Sequence, residues 1–111
     1  MGTGFGYLAD RRRDQAAVLL SLLPQVRDIR RFGSAALDLC FVAEGQLDAY
    51  YEKGLHPWDL AAGWLIAKEA GATVGDLNGG LPGETFTLAA NPILFSQLAD
   101  LLRSLDADKG A

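Results

Sequence analysis

Residues 54–72, GLHPWDLAAGWLIAKEAGA, decide the fold. Pro57 has a fixed φ and no amide hydrogen, so it suits the first helical position, where that hydrogen has no partner. The run after it is oily apart from Lys68 and Glu69, and Gly71 suits the left-handed residue that closes a helix. The stretch predicts a turn at residues 54–56 and a helix from Pro57 to about Ala70. Asp59 is an acid in the first turn of an otherwise apolar helix, and its purpose is the question the sequence raises.

Working outward, QLDAYYEK (residues 46–53) places Leu47, Ala49 and Tyr51 on one face, as a strand does. On the other side, TVGDL (73–77) predicts a short strand, NGGLPG (78–83) a loop, and TFTLAA (85–90) another strand. Strands alternating with helices predict an α/β layer with at least partly parallel pairing. Nearer the start, GFGY (4–7) predicts a short strand. RRRDQAAVLLSLLPQ (11–25) has apolar residues at 16, 17, 19, 20 and 23, a helical spacing that Pro24 ends. VRDIRRF (26–32) is expected as a strand. Ser34 suits the N-cap of a helix AALDLCFVAE (35–44) that stops at Gly45. Asn91-Pro92 leads into a last helix, ILFSQLADLLRSL (93–105). The reading is one domain over residues 1–105, with residues 106–111 expected to fray.

Composition narrows the partners. Ten basic residues against fourteen acidic ones give a net charge of −4, with no basic stripe, so nucleic acid and anionic membrane are not expected. Cys40 is the only cysteine, which excludes an internal disulfide and suits a reducing cytosol; its apolar neighbours make it a small core residue. No leader peptide or membrane span of ~18 apolar residues is visible, and a cytoplasmic location is expected. Hydrophobic residues make up 50% of the chain and glycine adds 13 more, above the ~45–50% usual for both together. That surplus predicts apolar surface awaiting a partner.

Several residues could carry chemistry. Asp59 either compensates the helix dipole, worth roughly 0.3–1 kcal/mol, or is a hard oxygen ligand for a cation such as Mg²⁺. Glu52, ending its strand seven residues earlier, is either solvated or an acceptor for substrate hydroxyls. Gly33, Ser34 and Ala35 make a small-residue helix entry that lets a ligand approach backbone amides. Asp38, mid-helix, is expected to pair with an arginine. His56 is expected as a turn residue, with no second histidine to join it in a metal site. No Ser-His-Asp set, CxxC or P-loop can be drawn.

The stretch RRFGSAALDLCFVAEGQLDAYYEKGLHPWDLAAGWLIAKEAGATVGDLNGG resembles the carboxyl-terminal region of the inositol monophosphatase family. The likeness runs from TGFGY to TLAANPILFSQLADLL and is most specific over WDLAAGWLIAKEAGA, residues 58–72. It implies the layered sheet-and-helix carboxyl-terminal subdomain of the inositol monophosphatase-like sugar phosphatase fold. It implies a Mg²⁺ ligand at Asp59, a polyol-binding carboxylate at Glu52, and a substrate pocket lined by Gly33, Ser34, Ala35 and Asp59. Family members are more than twice as long. Their amino-terminal half carries a metal-binding glutamate, an Asp-Pro-Leu/Ile-Asp-Gly-Thr motif and a water-activating threonine, and no Asp-Pro or Asp-Gly dipeptide occurs here. No catalytic residue is therefore assigned within this chain, which is expected to be inert alone, as a fragment, split gene product or isolated domain. The expected partners are a small phosphorylated polyol and either the amino-terminal half or a second copy. The same chemistry on histidinol phosphate, fructose bisphosphate or adenosine bisphosphate stays open. So does a non-catalytic interaction or dimerisation module derived from the family.

Overall fold

A computed structural model describes residues 1–110. Its elements run β1 (Gly2–Thr3), α1 (Ala9–Leu22), α2 (Ala35–Ala43), β2 (Ala49–Glu52), α3 (Pro57–Glu69), β3 (Thr73–Gly75), β4 (Thr87–Ala90) and α4 (Pro92–Ser104). The sheet order is β1-β2-β4-β3, with β1 parallel to β2 and both remaining pairs antiparallel. The sheet is mixed, with a single parallel pair.

Period-two alternation divides the sheet's side chains between two cores. Ala49, Tyr51, Leu88 and Ala90 face Val18 and Leu22 of α1 and Leu98, Ala99 and Leu102 of α4. Tyr50 and Ala89 face the other way, onto Leu39 and Val42 of α2 and Leu60 of α3. The result is helix, sheet, helix. Both sheet faces are covered, so β4 is buried throughout, including Thr87, whose hydroxyl donates to the Gly83 carbonyl at 3.2 Å. Within the second helical layer, Gly63 brings α3 close to α2: a Cβ there would lie 2.8 Å from Leu39 Cβ.

The helix punctuation behaves as its chemistry dictates. Ser34 Oγ accepts from the Leu37 amide at 3.3 Å, and Asn91 Oδ1 accepts from the Leu94 amide at 2.9 Å. Pro57 and Pro92 open their helices. Gly45 and Gly71 follow α2 and α3 at φ of 80° and 95°. Pro24 sits in a 3₁₀ turn, Leu23–Gln25, that tightens the end of α1.

Two expected strands are corrected. Residues 4–7 are not a strand, because side chains of α1 take their backbone groups. Gln15 Oε1 accepts from the Gly6 amide at 2.9 Å, and Arg12 Nη1 donates to the Tyr7 carbonyl at 2.5 Å. The strand lies just before, at Gly2–Thr3. Residues 26–32 make only one parallel bridge, Gly2 to Arg30. Asp28 takes the Ile29 amide at 2.7 Å, and β1 beside the segment is only two residues long, so little is left to pair. Two side-chain expectations also change. Asp38 is buried with both oxygens unpartnered, and Cys40 is half-buried rather than in the core.

At the carboxyl end, Ala107 is buried in the first core, and Lys53 Nζ donates to the carbonyls of Lys109 (2.8 Å) and Gly110 (3.0 Å). Ala111, the last residue of the stretch expected to fray, lies outside the described residues. The expected surplus of apolar surface has a place. Trp58, Leu65 and Ile66 of α3 are exposed, at 77%, 59% and 47%, as are Leu20 of α1, Leu37 of α2 and Ile93 of α4. Among the described residues no helix is long and apolar enough to cross a membrane.

Candidate functional site

Two helix entries and one strand end meet at a single cavity of about 470 Å³. All five residues singled out in the sequence line it: Gly33, Ser34 and Ala35 at the start of α2, Glu52 at the end of β2, and Asp59 in the first turn of α3. Gly4, Phe5, Arg11, Arg31, Lys53, His56 and Trp58 are among the other residues of its walls.

Asp59 has a structural role here. Its Oδ2 accepts from the His56 amide at 3.0 Å, and the Asp59 amide donates to the His56 carbonyl at 3.0 Å, which closes the first turn of α3. His56 is therefore an N-cap, and its ring stacks on Trp58 with centroids 4.5 Å apart. The cap engages one Asp59 oxygen and leaves Oδ1 without a hydrogen-bond donor among the described residues.

Glu52 is half-buried. Its Oε1 accepts from the Tyr50 hydroxyl at 2.6 Å. Burial pushes its pKa up, the Tyr50 hydrogen bond and the Arg31 charge pull it down, and the nearby Asp59 carboxylate pushes it up again. Beneath it lies Asp38, whose pKa is pushed up to about 7, first by burial and then by the charge of Glu52, against the pull of Arg31. Arg31 makes no ion pair with either acid; its guanidinium lies 5.9 Å from the Phe5 ring centre. Gly33, at φ 81°, leaves room for Arg31: a Cβ would sit 2.8 Å from its Nη1.

The sequence reading missed four contributors. Tyr50, Gly4 and Arg31 shape the ground around Glu52, and His56 completes the cap. For Tyr50 a signal existed: it sits two residues before Glu52 on a strand, hence on the same face. For Arg31 and Gly4 only the fold brings them in.

As a cation site, the cavity offers hard oxygen donors of the type Mg²⁺ takes. Among the described residues no group of three or more His, Cys, Asp or Glu could hold a metal ion. One carboxylate at Asp59 supplies one or two of roughly six ligand positions, so it fits as one member of a larger set.

The sequence profile of the Inositol monophosphatase family matches residues 1–107. The chain belongs to the inositol monophosphatase family. An inositol-1-monophosphatase of Mycobacterium leprae (strain TN) is 58% identical over 94 residues, 83% of this chain and 32% of that protein. The Nus factor SuhB of Pasteurella multocida (strain Pm70) is 51% identical over 79 residues, 70% of this chain and 30% of that protein. Among solved structures, Mycobacterium tuberculosis SuhB matches with a TM-score of 0.84 at 50% identity, over 97% of this chain and 42% of that one. The chain thus spans about a third of the length of these curated relatives.

Proposed function

We propose that this chain is the carboxyl-terminal portion of a Mg²⁺-dependent phosphomonoesterase acting on inositol monophosphate or a related polyol or sugar phosphate. The observation that carries the reading is the gathering of Gly33, Ser34, Ala35, Glu52 and Asp59 at one cavity, in a chain of the inositol monophosphatase family. Glu52 accepts hydrogen bonds from the hydroxyls of the alcohol being released. The small residues at the α2 entry let that alcohol lie against the backbone. Asp59, anchored through Oδ2, presents Oδ1 to a cation. Bound Mg²⁺ would polarise the phosphoryl group and lower the pKa of an attacking water.

The remaining ligands of that cation come, in this reading, from the part of the family fold outside the span matched here, seated on the exposed Trp58, Leu65 and Ile66 of α3. The test is release of phosphate from myo-inositol 1-phosphate by the chain alone and by the chain co-expressed with the remainder of the M. leprae relative. The chain alone is expected to be inert, and the assembled pair to turn over substrate in a Mg²⁺-dependent way. A pair that co-purifies yet leaves inositol, histidinol, fructose and adenosine phosphates untouched would overturn the hydrolase reading and favour an interaction module. The name Nus factor, given to a relative, is the one observation behind that second reading.

A further inference from the structure

Tyr50 is fully buried, and its hydroxyl donates to Glu52 Oε1 at 2.6 Å. A buried tyrosine hydroxyl needs an acceptor, so the bond could merely satisfy Tyr50. The surroundings of Glu52 indicate more. Against the same carboxylate lies Gly4, where an added Cβ would fall 2.1 Å from Oε1, 2.4 Å from Cδ and 2.8 Å from Oε2. Every atom of the carboxylate is thus pressed against bare backbone, a seat that any side chain at position 4 would occupy. Arg31 contributes charge without a direct ion pair, so it favours the ionised form while occupying neither oxygen. Among the described residues none donates a hydrogen bond to Oε2, and both Glu52 and Gly4 line the cavity.

We propose that Tyr50 is a positioning residue: its hydroxyl, together with the seat left by the bare backbone of Gly4, locks the Glu52 carboxylate with Oε1 committed and Oε2 left to accept from a ligand hydroxyl. A carboxylate oxygen held this way discriminates for donors. It favours a neutral polyol surface and disfavours a second anionic group at the same spot, which would meet a fixed negative charge. A locked acceptor also binds without first losing rotamer freedom, the general advantage of preorganisation. The identity of the ligand rests on the polyol reading above; the lock itself does not.

The test uses the full chain labelled with ¹³C at glutamate carboxyls, with the Glu52 resonance assigned by its loss in Glu52→Gln. At a fixed pH of ~7.5, Tyr50→Phe is expected to move the Glu52 resonance and leave those of Glu44, Glu69 and Glu84 in place. Gly4→Ala should move it too, because the carboxylate must vacate its seat. Binding of myo-inositol 1-phosphate to the chain assembled with the complementary part of a relative is expected to weaken about tenfold in Tyr50→Phe, as for loss of a hydrogen bond to a charged group. In a Glu52→Gln background the same substitution should change affinity less than about twofold, since Tyr50 acts only through Glu52. An unmoved resonance overturns the lock, and so does an equal loss of affinity in both backgrounds, which would make Tyr50 structural. If the resonance moves while the unsubstituted assembly binds no inositol phosphate, the lock stands and the polyol reading falls.

Discussion

Replacing Asp38 with asparagine should stabilise the protein at neutral pH and remove much of its pH dependence. Asp38 is 1% exposed, and neither oxygen has a hydrogen-bond partner. Burial, then the charge of Glu52, raises its pKa from 3.8 to about 7, with Arg31 opposing. Between these values the folded protein holds a proton that the unfolded chain has released. Folding therefore binds protons, and stability falls as pH rises from about 4 to about 7. Each tenfold of proton affinity is worth about 1.4 kcal/mol, so the full effect is on the order of 4 kcal/mol, an upper figure for a site that relaxes when charged. An asparagine carries no charge at any of these pH values. Urea unfolding at pH 5, 6, 7 and 8 reads the difference. Asp38→Asn is expected to exceed the parent by roughly 1.5 kcal/mol at pH 5 and by up to about 4 kcal/mol at pH 8, so the gap between the two curves widens as pH rises. A shallow slope of the same sign should survive in the variant, because burial also raises Glu52. Parallel stability curves, or a variant that is weaker at pH 8, would refute the account of Asp38 as a buried acid without a partner.

Three further outcomes are expected. Leu65→Glu with Ile66→Lys should cut dye binding and self-association of the isolated chain with a change in stability of about 1 kcal/mol or less, as both side chains are exposed; light scattering checks it. Gly63→Ala should destabilise by about 1–3 kcal/mol in thermal unfolding, because the new Cβ meets Leu39 at 2.8 Å where α2 and α3 touch. Asp59→Asn, in the chain assembled with the rest of a family fold, should keep its melting temperature within a few degrees, since an amide oxygen can still cap His56. It should also shift the Mg²⁺ requirement of phosphate release strongly upward. An unchanged Mg²⁺ dependence would leave Asp59 as a capping residue only.

Helices were legible here because their ends are written in local chemistry. Ser34 and Asn91 accept from amides three residues on, Pro57 fixes its own φ at a helix start, and Gly45 and Gly71 answer to backbone sterics alone. Strands were legible only where a partner covered them. AYYE and TLAA are central and pair along their whole length. The segment around Ile29 and Arg30 has the composition of a strand but sits at the sheet's edge, where β1 offers only two residues. Its fate was decided by the length of its neighbour, which no window of its own sequence contains.

The site divides along the same line. Glu52 and Asp59 could be picked out because each marks the end of an element, and element ends are where backbone leaves room for ligands. Asp38 was misjudged because periodicity places a residue on a face without saying whether a guanidinium reaches it. Arg31 lies near enough to lower the pKa of both Asp38 and Glu52, yet it pairs with neither. The outcome is an uneven share of protection. Glu52, at the cavity, receives the Tyr50 hydroxyl and the larger part of its usefulness as an acceptor; Asp38, one layer deeper, receives burial and a neighbouring negative charge. Two acids that close cannot both ionise cheaply in a low dielectric. The charge of Glu52 thus helps to hold Asp38 neutral, and the buried acid that looks like a defect of the fold adds no second negative charge behind the cavity.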